Sequence, residues 1–124
     1  MPGGLKPGDA IWMRFTYSNP PKKKICLCVC VEDNIFLIIS SKAYSGAPAD
    51  SQVALHKEDL AILEHSSFLD VSKYYDGFSP QEIARGIRDG VHSLSPSARA
   101  RIKHIVSGQP YLIERVKRKI LNNL

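Results

Sequence analysis

The sequence predicts a mainly β protein with α: a small β-barrel over residues 5–75 and a basic helical extension of about three short helices over residues 79–124, forming one domain. Three observations carry this. Short apolar or aromatic-rich runs separated by turn residues fill the first part. The apolar period changes to a helical one at Ser79. The charge divides at the same place: residues 1–80 carry 8 Lys/Arg against 9 Asp/Glu, and residues 81–124 carry 9 against 3.

After a Gly/Pro-rich lead-in and a Gly8-Asp9 turn, residues 10–17 (AIWMRFTY) fit a first strand. Ser18-Asn19-Pro20-Pro21 ends it, because proline donates nothing to a ladder. Lys22-Lys23-Lys24 leads into a second strand, 25–31, apolar on both faces and so expected to be covered on both sides. Glu32-Asp33-Asn34 turns the chain into residues 35–40 (IFLIIS). Residues 41–51 are small and polar and predict a mobile loop. A short strand at 52–55, a short helix or helical turn at 57–63 and a closing strand at 67–71 complete the barrel. Ser79-Pro80-Gln81-Glu82 is a capping box opening a helix that Gly90 stops. Ser95-Pro96 opens a second helix, with Ile102, Ile105 and Val106 on one face and Gly108 at its end. Pro110 opens a third, with Leu112, Ile113, Val116, Ile120 and Leu121 at helical spacing.

The 124 residues suffice for a core without disulfides. No apolar run approaches the roughly 18–20 residues of a membrane span, and residues 1–10 lack the apolar stretch of a secretory leader, which predicts a cytoplasmic protein. Cys26, Cys28 and Cys30 alternate along one strand and so share a face in this reading. They are expected to be buried thiols of a reducing compartment, since C-x-C-x-C without a second ligand cluster is a weak zinc signature.

The run Lys6-Pro7-Gly8-Asp9-Ala10-Ile11-Trp12 resembles the opening of MazF/PemK-like toxins, where GD-x-[VI]-[WY] starts the first strand. In that family a polar loop follows, then a basic residue, usually Arg before Pro, leads into a very apolar second strand. A third strand ends in a Ser/Thr pair before a flexible loop. These features match Lys24-Ile25, the strand through Val31, and Ser40-Ser41-Lys42. The resemblance covers residues 5–75. It implies an SH3-like barrel, commonly a homodimer, acting as a metal-independent endoribonuclease on single-stranded RNA and neutralised by an antitoxin that fills the RNA groove. It implies no cofactor. It also places Lys24 where the family's Arg stabilises the pentacovalent phosphate; an ammonium is a point charge, whereas a guanidinium grips two oxygens at once.

Such chemistry must move the 2′-hydroxyl proton and stabilise a dianionic phosphorane. Lys24 and Ser41 are the expected catalytic pair. Lys22, Lys23, Ser40 and Lys42 are expected to contact the phosphate or the 2′-hydroxyl, and Tyr17, Asn19 and Tyr44 to stack on or read bases. Trp12 is expected in the core or at a dimer contact. Neither His56, His65, His92 nor His104 has a carboxylate at a recognisable catalytic spacing, and none is expected to be catalytic. No G-x-S-x-G or phosphate-cradling glycine loop occurs. The alternative reading is a non-catalytic module that uses Arg99, Arg101, Lys103, Arg115, Lys117, Arg118 and Lys119 to bind nucleic acid or an acidic protein.

Overall fold

The central hairpin dictates the architecture. Strands β2 (Lys22–Cys30) and β3 (Ile35–Ser40) pair antiparallel, and every residue from Ile25 to Cys30 and from Ile35 to Ile39 is buried. A sheet apolar on both faces must be covered on both. Around this hairpin lie β1 (Asp9–Phe15), β4 (Gln52–Leu55), β5 (Ser67–Tyr75) and a short β6 (His92–Ser93), giving one antiparallel sheet in the order β4-β5-β3-β2-β1-β6. The sheet curls into a half-barrel. Three helices complete the chain: α1 (Pro80–Asp89), α2 (Pro96–Ser107) and α3 (Glu114–Asn123). The structure is a computed structural model describing residues 4–15, 20, 22–42 and 49–124.

One face packs Ala10, Leu27, Leu37, Leu55 and Leu69 against Ala98, Ile102 and Val106 of α2 and Val116 and Ile120 of α3. The other packs Ile11, Met13, Phe15, Cys26, Cys28, Phe36 and Ile38 against Phe78 and the half-buried Ile83 and Ile87 of α1. Each large apolar side chain removed from water stabilises the fold by about 1.5–3 kcal/mol. The apolar stripe of the last two helices is therefore satisfied by the sheet of the same chain. Ile113 departs from that stripe and is 51 % exposed. Among the described residues no helix is long and apolar enough to cross a membrane.

The Gly8-Asp9 pair has a local explanation. Gly8 sits at φ 95°, and a Cβ there would collide with the Arg99 guanidinium. The buried Asp9 carboxylate accepts from Lys6 N (2.9 Å) and Ser93 Oγ (2.9 Å), tying the chain's start to β6.

Several expectations are corrected. A β-bulge sets Cys28 opposite Phe36 but Cys30 opposite Ile35, so β2 advances two residues where β3 advances one. The bulge turns Cys30 to the α2/α3 side, away from Cys26 and Cys28. Strand β5 runs to Tyr75 and lies between β4 and β3 rather than closing the sheet. Of the two alternatives for residues 57–63, the chain takes turns rather than a helix, with one helical closure from Leu60 N to His56 O (3.2 Å). The third helix starts at Glu114 rather than Pro110, because Tyr111 Oη donates to Asp50 Oδ1 (2.9 Å) and Leu112 enters the core. The caps at Ser79 and Ser95 are as read, with Glu82 N and Ala98 N each donating to the serine Oγ at 3.1 Å.

Helix α1 reaches β1 through Gly86, where a Cβ would lie 2.7 Å from Trp12 O and 2.8 Å from Ile11 Cδ1. Gly86→Val is expected to lower stability by about 1–3 kcal/mol through overpacking, read as a fall in thermal midpoint. A second test concerns Asp59, whose buried carboxylate takes both Arg101 nitrogens (3.3 and 3.0 Å) and His56 N (3.0 Å). The Arg101 hydrogen bonds hold its carboxyl below the usual range, against the opposing effect of burial. A folded-state value below the unfolded one means the contribution is present above about pH 4 and fades as pH falls through the folded value. Asp59→Asn should therefore cost about 2 kcal/mol at neutral pH, with the gap to wild type narrowing in acid; a constant gap by chemical denaturation would contradict this assignment.

Candidate functional site

Where β2 and β3 reach the end of the sheet, apolar residues give way to charge. A groove of about 200 Å³ opens there, lined by Trp12, Lys23, Lys24, Ile25, Ile39, Ser40, Ser41, His65 and Ser67. Alternation along β2 sends Lys23 to the side of Ile25 and Leu27, and Lys24 to the side of Cys26 and Cys28. The groove thus lies across the rim of the sheet, within reach of both ammonium groups. Lys24 Nζ donates to Ser40 Oγ at 3.3 Å. The hydroxyl in contact with Lys24 is therefore Ser40, the last residue of β3, while Ser41 lines the same groove one residue further on.

His65 arrives from the far side, from the bend preceding β5. Antiparallel pairing of β5 with β3 sets Ser40 opposite Phe68, which carries residues 65–67 to the mouth of the groove. The exposed His65 ring places Nδ1 3.2 Å from Ser66 O. A carbonyl only accepts, so in this hydrogen bond Nδ1 is the donor, and in the neutral ring Nε2 is then the acceptor. Adjacency to Glu64 gave no reason to single this residue out; the strand pairing that does so joins positions remote in sequence.

Trp12 is not a core residue: it is 37 % exposed and lines this groove. It also lines a second groove of about 230 Å³ between the ends of β1 and β2 and helix α1, together with Met13, Arg14, Lys22, Lys23, Glu82, Arg85, Gly86 and Asp89. Trp12 and Lys23 are common to both. Among the expected substrate contacts, Lys22 and Lys23 are exposed on β2, and Lys42 is exposed beyond β3. Tyr17, Asn19 and Tyr44 lie outside the described residues.

The basic residues of the C-terminal half are drawn largely into the fold. Arg99 donates to Pro7 O (3.0 Å) and Leu94 O (3.3 Å), and Arg101 to Asp59 and Ala54 O. Arg115 and Lys119 face Asp33 at 3.3 and 3.8 Å, and Lys117 donates to Gln109 O at 2.9 Å. Lys103 is half-buried, and Arg118 is exposed in a shallow groove shared with Glu32 and Glu114. These cations therefore pin helices to the sheet and its turns more than they form an open basic face.

Among the described residues no group of three or more His, Cys, Asp or Glu is placed to hold a metal ion. Burial pushes the Cys26 thiol up to about 12, opposed by the charge of Lys24. Burial, reinforced by Asp9, raises Cys28 to about 12 as well. Both are protonated at neutral pH and are poor nucleophiles or ligands. A thiol-reactive disulfide reagent should leave them unlabelled in the native protein and label them at the rate of unfolding; fast native-state labelling of Cys26 or Cys28, located by peptide mapping, would contradict their burial. No family model, curated protein or solved structure matches the chain.

Proposed function

We propose that the chain is a metal-independent endoribonuclease acting on single-stranded RNA, of the MazF/PemK toxin type, with its reaction centre in the rim groove. The observation that supports this most directly is the grouping of Lys24, Ser40, Ser41 and His65 around one opening. Each supplies a different requirement of phosphodiester cleavage. His65 Nε2 takes the proton of the 2′-hydroxyl as that oxygen attacks the adjacent phosphorus. The Lys24 ammonium and a serine hydroxyl hold the non-bridging oxygens as negative charge accumulates on them. The bond to the 5′-oxygen breaks, that oxygen takes a proton from solvent, and the products carry a 2′,3′-cyclic phosphate and a 5′-hydroxyl. The hydrogen bond from Lys24 to Ser40 keeps the ammonium at the groove before substrate arrives. Lys24 stands in this scheme where the toxin family has Arg, and a point charge in place of a planar fork favours a slower enzyme.

The purified chain should cleave a mixed single-stranded RNA pool with EDTA present. Lys24→Ala is expected to reduce the rate about 10²–10³-fold, and His65→Ala about 10²–10⁴-fold, with folding checked by circular dichroism. Lys24→Arg should keep or raise activity. An inert wild type, or equal cleavage by Lys24→Ala, removes the nuclease reading.

A further inference from the structure

Strand β1 buries Ile11, Met13 and Phe15 and turns Trp12 and Arg14 to the opposite, open side. Gly86 admits the backbone of α1 against Trp12 O, so the groove between them has close, fixed walls. Its charged groups are not equivalent. The Glu82 carboxylate is taken by the cap of α1, accepting from Ser79 N and Ser79 Oγ at 3.2 Å each. Asp89 faces Lys23 at 3.8 Å. Arg14, Lys22 and Arg85 hold no ion pair among the described residues, and they line the groove together with Trp12, which has no aromatic partner among them.

We propose that this groove is a nucleotide subsite for single-stranded RNA. A base stacks on Trp12, and the phosphate next to it is held by Arg14 and Arg85. The proposal rests on the nuclease reading for the identity of the strand, because the groove shares Trp12 and Lys23 with the one at Lys24. An aromatic face flanked by uncommitted guanidinium groups is suited to a nucleotide. Every base offers a π-face to the indole, and each guanidinium grips two phosphate oxygens at once. The arrangement reads backbone and stacking rather than base edges, so it gives weak sequence preference. It holds the strand on one side of the reaction centre, with Lys23 bridging the two positions.

The sequence contains a single tryptophan, so tryptophan emission reports on Trp12 alone, and the Arg14 and Arg85 substitutions assign a change in it to this groove rather than to the one at Lys24. The full chain is titrated with a short, fluorescently labelled 2′-O-methyl RNA, which lacks the nucleophile and is not cleaved. Binding is followed by the anisotropy of the label and, in parallel, by Trp12 emission. The expected result is saturable quenching with the same midpoint as the anisotropy. Arg14→Ala with Arg85→Ala should weaken both about tenfold or more, and should reduce the salt dependence by roughly 0.7 in log–log slope per cation removed, with an unchanged thermal midpoint. Trp12→Phe should bind with affinity close to wild type, and Trp12→Ala about tenfold more weakly. Binding by anisotropy without a change in Trp12 emission overturns the subsite even if RNA is cleaved. Absence of binding also overturns it, as does displacement of the RNA by polyglutamate at equal concentration, which would make the groove a site for acidic protein. Quenching that persists in a chain unable to cleave RNA keeps the subsite and removes only the nuclease.

Discussion

Two-sided burial of the β2–β3 hairpin is the constraint from which the rest of the molecule follows. Two paired strand runs cannot both be wholly apolar in a sheet that shows one face to water, and Ile25–Cys30 and Ile35–Ile39 have no polar face to show. Helix α1 therefore covers one side, and α2 with α3 covers the other. Polar chemistry is excluded from the middle of both faces and pushed to the strand ends.

That exclusion explains why the candidate grooves lie where they do. Lys22, Lys23 and Lys24 occupy the end of β2, Ser40 the end of β3, and Trp12 and Arg14 the open side of β1. A side chain at the rim keeps its charge hydrated while its backbone is held by a rigid ladder, which is what positions a charge without desolvating it. The C-terminal cations show the opposite use of charge. Arg99 and Arg101 reach carbonyl and carboxylate oxygens 92 and 42 residues away and act as fasteners between layers.

Much of the fold is legible in the sequence because its signals are local. The caps at Ser79 and Ser95, the Glu32-Asp33-Asn34 turn and the all-apolar hairpin each depend on neighbours a few residues apart. The misreadings have non-local causes. The bulge that reverses Cys30 depends on how Phe36 and Ile35 pair across the hairpin. The delayed start of α3 depends on Asp50 capturing Tyr111. The candidate site divides in the same way. Lys24 and the Ser40-Ser41 pair were visible as residues flanking apolar strands. His65 and Arg85 were not, since one is brought by β5 pairing and the other by a helix docked through Gly86. The exposure of Trp12 was hidden as well, because alternation says which residues share a face but not which stretch of a face stays uncovered.

The contacts that tie the start of β1 to β6 and α2 have a consequence for how the protein must be built. Ser93 pairs with Asp9, Leu94 N donates to Gly8 O, and Arg99 clasps Pro7 O, so β1 gains its outer neighbours from residues more than eighty positions later. During synthesis the hairpin therefore emerges with its apolar sides bare and stays so while the segments that will cover it are still being translated. A chain of this topology closes large loops late, which slows folding and lengthens the interval in which a sticky intermediate meets others of its kind. The same feature that unifies the finished protein makes its birth the vulnerable moment.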